Sequence, residues 1–307
     1  MQLIVPFAGV LSEAGRHAAQ SLSLPHLERL LARSQAGAAL GGDEHSSSAP
    51  HELALAQALG WPLIDGRLPW AVRAAQRDGV DTGTRAIGQL TPVHLHVGTE
   101  QVTLTDPAAL ALDAADARSL FDALRPLFAD AGFVLHWGHE QRWYVEHASL
   151  AELATASLDR VIGRNVDPWL PETRPSRAWQ RLLSETQMLL HSHDVNTRRE
   201  SLGLSSVNSL WLSGCGVATA APAQREPRID DRLRTPALSE DWAAWADAWH
   251  ALDAGPLADL LDARDGATLI LAGERRALPL APRYGSAWQR LRSAWQRPQV
   301  HRVLNEL

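Results

Sequence analysis

The sequence has 307 residues, of which 45% are hydrophobic, and its 29 basic and 35 acidic side chains give a net charge of −6. A chain of this length and apolar content can bury a sizeable core, which excludes a disordered or fibrous protein. The acidic balance argues against a protein that wraps nucleic acid, and the single cysteine, Cys215, excludes a disulfide framework and a cysteine-rich zinc site.

The hydrophobic pattern of the first 87 residues indicates one short strand followed by helices. The predicted elements are, in chain order, a strand over 2–7, a helical stretch to about residue 36 that restarts at Pro25, a loop over 41–50, and helices over 51–59 and 70–77.

The pattern changes at about Gly88, where alternating apolar residues become frequent. The next predicted elements are strands over 92–98 and 101–105, a helix over 114–129, a hairpin over 132–137 and 142–147, a helix over 177–191 and a strand over 207–212. Pro126 is expected to kink or break the last turn of its helix. An irregular segment then leads to helices over 239–252 and after Pro256, a strand over 268–272, and a helix from 287.

This order predicts an α/β core made of residues 1–87 and 205–307, with an α+β domain, residues 88–204, inserted into it. The apolar start has no basic residues of the kind a signal peptide carries, and no segment approaches the apolar length of a membrane span. We therefore expect a cytoplasmic protein that contacts neither membrane nor nucleic acid.

Tryptophans recur at helical spacing in two of the predicted helices. The two stripes are Trp242/Trp245/Trp249 and Trp288/Leu291/Trp295. Such stripes are most often packing faces, and docking of a partner protein is the alternative.

Two pairs of histidines have spacings that metal sites use. His94 and His96 would share one face of a strand, while His191 and His193 precede Asp194. Neither pair has a further ligand at motif spacing, so we favour hydrogen bonding or capping over metal binding.

A serine cluster in the loop before the third predicted helix is the candidate nucleophile. Ser47 lies four residues before His51, and the acids Asp43 and Glu44 precede it. A nucleophilic serine needs a base or a metal to activate it. A polar loop that leads into a helix N-cap is the simpler explanation.

The most specific pattern runs from His193 to Gly216. It joins His193, Asn196, Arg199 and Asn208 to a strand that ends in a glycine turn. Carboxamides, guanidinium groups and exposed N–H groups at the end of a strand suit a phosphate or carboxylate. These residues are therefore candidate ligands of an anion.

The run His193-x-Val-Asn-x-x-Arg, followed by Val-Asn-x-x-Trp-Leu-x-Gly-x-Gly216, resembles a signature of the archaeal-type cofactor-independent phosphoglycerate mutases. Shorter matches over most of residues 1–216 place Arg142 at an arginine of that family's inserted domain. The bacterial RpfE-type regulatory family is similar in the same way. The resemblance implies a truncated alkaline-phosphatase-like core with an inserted α+β domain.

Departures from the mutase pattern concern the metal ligands. A metal-binding Asp-Gly follows the first strand in the mutases, whereas here the strand leads into Phe7-Ala8-Gly9. The late strand leads into Gly273-Glu-Arg-Arg276 without the family's Asp-His. Without carboxylates and imidazoles a metal pair is not held, and the serine gains no activation for phosphoryl transfer.

The sequence therefore predicts a degenerate protein without a metal or other cofactor and with a binding or regulatory role. Its predicted partner is a phosphorylated small molecule or a protein, and its candidate ligand residues are Arg142, His193, Asn196, Arg199 and Asn208. The alternative is an active phosphomutase or phosphatase that uses Ser47 and His51 with a relocated Mn or Zn site.

Overall fold

A computed structural model describes residues 2–170, 176–219, 226–263, 267–283 and 299–307. The strands are β1 (Gln2–Val5), β2 (Ser34–Ala36), β3 (Leu40–Gly41), β4 (Ile87–Val93), β5 (Leu95–Val97), β6 (Val102–Leu104), β7 (Val134–His139), β8 (Arg142–Glu146), β9 (Ser209–Gly216), β10 (Arg228–Ile229), β11 (Thr268–Ala272) and β12 (Arg276–Pro282). The helices are α1 (Glu13–Ser21), α2 (Pro25–Arg33), α3 (Pro50–Ala58), α4 (Trp70–Arg77), α5 (Ala114–Asp130), α6 (Leu158–Val161), α7 (Ser176–His191), α8 (Asp194–Ser201), α9 (Arg234–Leu238), α10 (Trp242–Leu252), α11 (Ala258–Asp262) and α12 (Val300–Glu306).

The chain forms two units. Unit 1 consists of Met1–Trp61 and Ala221–Leu307, and unit 2 is the continuous segment Pro62–Ala220. The boundaries predicted from the sequence lie between residues 87 and 88 and between residues 204 and 205. The difference arises because β9 pairs with β4 along most of its length, and α4 packs on the same sheet, so both belong to unit 2.

Unit 1 is built on a mixed sheet with the strand order β10-β1-β11-β12-β2, and β3 also pairs with β12. Strand β1 is parallel to β10 and β11, whereas β12 is antiparallel to its neighbours. Alternate residues of β1 face opposite sides, as strand geometry requires. Leu3 and Val5 join a core with α1, α2, α10 and α12, while Ile4 packs with Ala54 of α3. The mixed sheet and the helices packed on it confirm the predicted α/β fold class.

Unit 2 has an antiparallel sheet with the strand order β7-β8-β4-β9, beside a separate β5–β6 hairpin. The main core packs Leu120, Leu124 and Phe128 of α5 against Trp143 and Val145 of β8. On the opposite face, α4 packs against Ile87 and Tyr144. The predicted β7–β8 hairpin is present, and α5 continues through Pro126 to Asp130 instead of breaking there.

Other predicted elements differ from the structure in detail. The expected strand over 92–98 is split at His94 into the end of β4 and the start of β5, so His94 and His96 do not share one regular strand. Strand β12 and helix α8 were not predicted. The start of the helix predicted from residue 287, with Trp288 and Trp295, lies outside the described residues. Among the described helices, none is long and apolar enough to cross a membrane.

Candidate functional site

The carboxyl ends of the parallel strands β10, β1 and β11 meet at one edge of the unit 1 sheet. Ligands of α/β proteins bind at such edges because loops and free N–H groups converge there. The residues at this carboxyl edge are Asp230 after β10, Phe7 after β1, and Gly273 to Arg276 after β11.

Phe7 has an unusual backbone at this edge. Its φ angle of +56° lies in the left-handed region, which non-glycine residues rarely adopt. The indole N–H of Trp245 donates to the Phe7 carbonyl oxygen over 3.0 Å, and the Phe7 ring lies 5.7 Å from the His51 ring, centroid to centroid. Strained residues of this kind cluster at functional sites. Phe7 thus connects the tryptophans of α10 to the first turn of α3.

Arg275 forms a polar contact between this edge and the loop that contains Ser47. Its guanidinium donates two hydrogen bonds to the Glu44 carboxylate, from Nε over 2.9 Å and from the second terminal nitrogen over 3.3 Å. These hydrogen bonds lower the pKa of the Glu44 carboxyl group. The side chains of Arg275 and Glu44 are 43% and 32% exposed, so both can be reached from solvent.

Backbone donors lie directly beside that ion pair. The N–H groups of Arg275 and Arg276 both donate to the main-chain oxygen of Leu307, each over 2.7 Å. A Cβ atom added to Gly9 or Gly273 would approach the Leu307 Cβ to within 2.7 and 2.6 Å. Leu307 is therefore packed tightly against the turns that follow β1 and β11.

A second arginine–carboxylate pair lies at the end of β10. Arg232 donates to both oxygens of Asp230, over 2.6 and 2.8 Å. Asp230 is 7% exposed, and its backbone N–H donates to the Ile4 carbonyl oxygen. Because this carboxylate is buried, the pair is better suited to hold the end of β10 than to exchange with a ligand.

Ser47 and His51, the predicted catalytic residues, lie on either side of the α3 N-terminus. Ser47 belongs to the loop that Glu44 joins to Arg275, and His51 lies in the first helical turn beside Phe7. The structure therefore brings His51 to the carboxyl edge of unit 1, and Ser47 follows Glu44 in the adjoining loop.

The predicted anion ligands of unit 2 mainly contact the chain itself. The Asn196 side chain donates to the carbonyl oxygens of Leu190 and Val207 and accepts from the Val207 N–H, each over 2.8 Å. The Asn208 carboxamide bonds both the N–H and the carbonyl oxygen of Leu95. Both side chains therefore act as backbone clamps.

His193 and Arg199 have similar structural contacts. The His193 ring is the N-cap of α8 and accepts from the Val195 N–H over 3.2 Å. Arg199 is 1% exposed and donates to the carbonyl oxygens of Ser205 and Leu110. The guanidinium groups of α8 also meet Asp116. In this structure the signature run stabilises the end of α7, helix α8 and strand β9.

Arg142 lies in a separate polar cluster of unit 2. Its Nε and one terminal nitrogen donate to the two Asp78 oxygens over 2.8 and 2.7 Å, and the Tyr144 hydroxyl donates to Asp78 over 2.6 Å. The hydrogen bonds from Arg142 lower the pKa of Asp78, while burial raises that of Tyr144. Burial, with the charge of Arg142, also lowers the pKa of His139.

Metal binding finds no support in side-chain geometry within the described ranges. No group of three His, Cys, Asp or Glu side chains there could hold a metal ion. His94 Nδ1 instead lies 2.8 Å from the Ser206 carbonyl oxygen. In the sequence, Glu274 and Arg276 stand out only because they replace the metal ligands of the mutase pattern. The contact of Arg275 was not predicted, because its partner Glu44 lies far away in the chain.

Comparisons with known proteins leave the family open. No protein-family model and no curated protein sequence matches the chain. Among solved structures, a cofactor-independent phosphoglycerate mutase from Thermoplasma acidophilum is similar at 13% identity and a TM-score of 0.40, covering 100% of this chain and 99% of that one. A protein from Pyrococcus horikoshii is similar at 11% identity and a TM-score of 0.49, covering 93% and 88%. Both likenesses are distant.

Proposed function

We propose that this chain is a binding or regulatory protein that takes a small phosphate- or carboxylate-bearing molecule at the carboxyl edge of unit 1. Arg275 is the principal anion-binding side chain in this proposal. The observation that carries it is the pair of hydrogen bonds between the Arg275 guanidinium and the Glu44 carboxylate. A guanidinium at that position already recognises an oxyanion with fork geometry.

Exchange of Glu44 for a ligand is energetically feasible. Both partners of the ion pair are partly exposed, so solvent screens their attraction and a competing ligand can reach either of them. A phosphate monoester carries up to two negative charges and three acceptor oxygens, so it competes well with one carboxylate. The N-terminus of α3 lies beside this loop and favours negative charge.

Phe7 supports a binding role over phosphoryl transfer. It stands at the end of β1, where the mutases that the sequence resembles place a metal-binding aspartate. Its ring packs near His51 and offers no oxygen atom that could coordinate a hard divalent cation. We therefore propose a metal-free, degenerate relative of those enzymes.

The test is titration calorimetry of the full chain with inorganic phosphate and with 3-phosphoglycerate at low salt. We expect the affinity to fall at least about tenfold in Arg275→Gln, because a charge-assisted fork is lost. The matched control is Arg67→Gln, since Arg67 is about as exposed as Arg275 and forms an ion pair with Glu152 in unit 2. Equal affinity in wild type and Arg275→Gln would overturn the proposal.

The same protein tests the rival enzymatic function. His51 lies at this edge and Ser47 lies in the loop before its helix. Hydrolysis or isomerisation of phosphoglycerate with Mn or Zn, lost in Ser47→Ala, would establish a metal-dependent enzyme instead.

A further inference from the structure

The last described segment of the chain, residues 299–307, covers the carboxyl edge of unit 1. Its helix α12 buries Val300 and Leu304 in the unit 1 core, and Leu307 is 1% exposed. The Leu304 carbonyl oxygen and the Leu307 side chain lie against Gly9, where a Cβ atom would come within 2.7 Å of both. The segment is thus seated on the turns that follow β1 and β11.

The main-chain oxygen of Leu307 is held by donors that also suit an external anion. Two successive N–H groups, of Arg275 and Arg276, converge on this one oxygen over 2.7 Å each. Adjacent backbone N–H groups that point at one place form a common anion-binding arrangement in proteins. They belong to the same turn as the Arg275 guanidinium, which is itself engaged by Glu44.

We propose that these two N–H groups are an oxyanion subsite that the chain's own segment 299–307 occupies in the absence of ligand. This inference rests on the proposed function and assigns a regulation to it. When the segment opens, the Arg275 and Arg276 N–H groups bind the phosphate or carboxylate oxygens of the ligand. The closed form then offers the ligand only the Arg275 guanidinium. The open form offers the guanidinium together with the two backbone N–H groups.

Opening of this segment is plausible on energetic grounds. A helix as short as α12 has little stability of its own in water and depends on its packing. Its attachment to unit 1 includes the side chains of Val300, Val303, Leu304 and Leu307 and two backbone hydrogen bonds. Local opening of such elements requires less free energy than global unfolding.

The inference is tested by comparing the affinity for inorganic phosphate of Leu307→Ala with that of wild type. Loss of the Leu307 side chain weakens the contact with Gly9 and Gly273, so the open form gains population. Since apparent affinity scales with the competent fraction, we expect inorganic phosphate to bind about threefold or more tightly. Leu260→Ala is the control, because Leu260 lies in the same core but on α11, and its affinity should equal that of wild type.

Hydrogen exchange gives a second readout that needs no substitution. Saturating phosphate should speed exchange of the α12 amides while those of Arg275 and Arg276 stay protected. Phosphate binding that depends on Arg275, with α12 exchange and the Leu307→Ala affinity unchanged, would overturn the inference and leave the proposed function standing. An absence of phosphate binding in every form would overturn both.

Discussion

Asn196 shows how much one buried polar side chain can hold. It satisfies three backbone groups, belonging to Leu190 and Val207, at a place where water has no access. Replacement by alanine would leave those groups unpaired, and each buried unsatisfied group costs roughly 1–3 kcal/mol.

We therefore expect Asn196→Ala to lower the free energy of unfolding by about 3 kcal/mol, measured by urea denaturation. Gln57→Ala, at an exposed position of α3, should change it by less than about 0.5 kcal/mol. A loss in Asn196→Ala as small as that of the control would show that relaxation or water restores the contacts.

Asp78 links the charge state of unit 2 to its stability. Its pKa is lowered in the folded chain, chiefly by the hydrogen bonds from Arg142. A carboxyl group with a depressed folded pKa stabilises the fold at pH values above its unfolded pKa, near 4, and that contribution is lost as the pH falls through the folded pKa.

Below about pH 4, the free energy of unfolding should therefore fall less steeply with decreasing pH in Asp78→Asn than in wild type. Chemical denaturation at a series of pH values between 2 and 6 measures this slope. Asp65→Asn, a change at an exposed aspartate of the same unit, serves as the control. An unchanged slope in Asp78→Asn would contradict the effect assigned to the Arg142 pair.

Helix α2 is stabilised by a residue from a distant part of the chain. Asp253 accepts hydrogen bonds from the backbone N–H groups of His26 and Leu27 and from the His26 ring, and it is 4% exposed. It opens a π-helical turn, Asp253–Leu257, that contains Pro256. The carboxylate supplies the cap that Leu24, the N-cap residue of α2, cannot provide.

Asp253→Ala should destabilise unit 1 by about 2 kcal/mol, because it removes a cap and leaves buried donors unpaired. Asp253→Asn keeps one acceptor and should lose less. Thermal unfolding followed by circular dichroism compares the two variants. Equal melting temperatures for alanine and asparagine would show that the capping oxygen contributes nothing.

Periodicity predicted most of the longer elements with an apolar buried face, and it failed where polar residues are buried or where prolines interrupt the pattern. Helix α8 was missed because its buried residues include Asn196 and Arg199, which pack by bonding backbone groups. Strand β12 was missed because Pro279 and Pro282 argue against a strand. The candidate site was predictable only as far as Ser47 and His51, since the Arg275–Glu44 contact depends on tertiary structure.

At the scale of the whole molecule, each unit has its own core. The unit 2 core includes α5, β8, β9 and α7, while that of unit 1 joins β1 and β11 to helices from both of its segments. The change in residue pattern at Gly88 predicted a domain boundary there. In the structure, β4 begins at Ile87 and pairs with β9, so the two strands belong to one sheet and one unit. Sequence alone gave no signal for that antiparallel partner because the two strands lie far apart in the chain.

A fragment of residues 62–220 should fold by itself, since it contains every strand of the unit 2 sheet and the helices on both faces. The shorter fragment 88–204 is the matched control: it lacks β9, with Leu210 and Leu212 of the core, and it lacks α4. Cooperative thermal unfolding and dispersed amide resonances are expected for the longer fragment alone. Cooperative folding of 88–204 would show instead that the boundaries drawn from the sequence define the autonomous unit, because β4 would then need neither its partner strand nor the cover of α4.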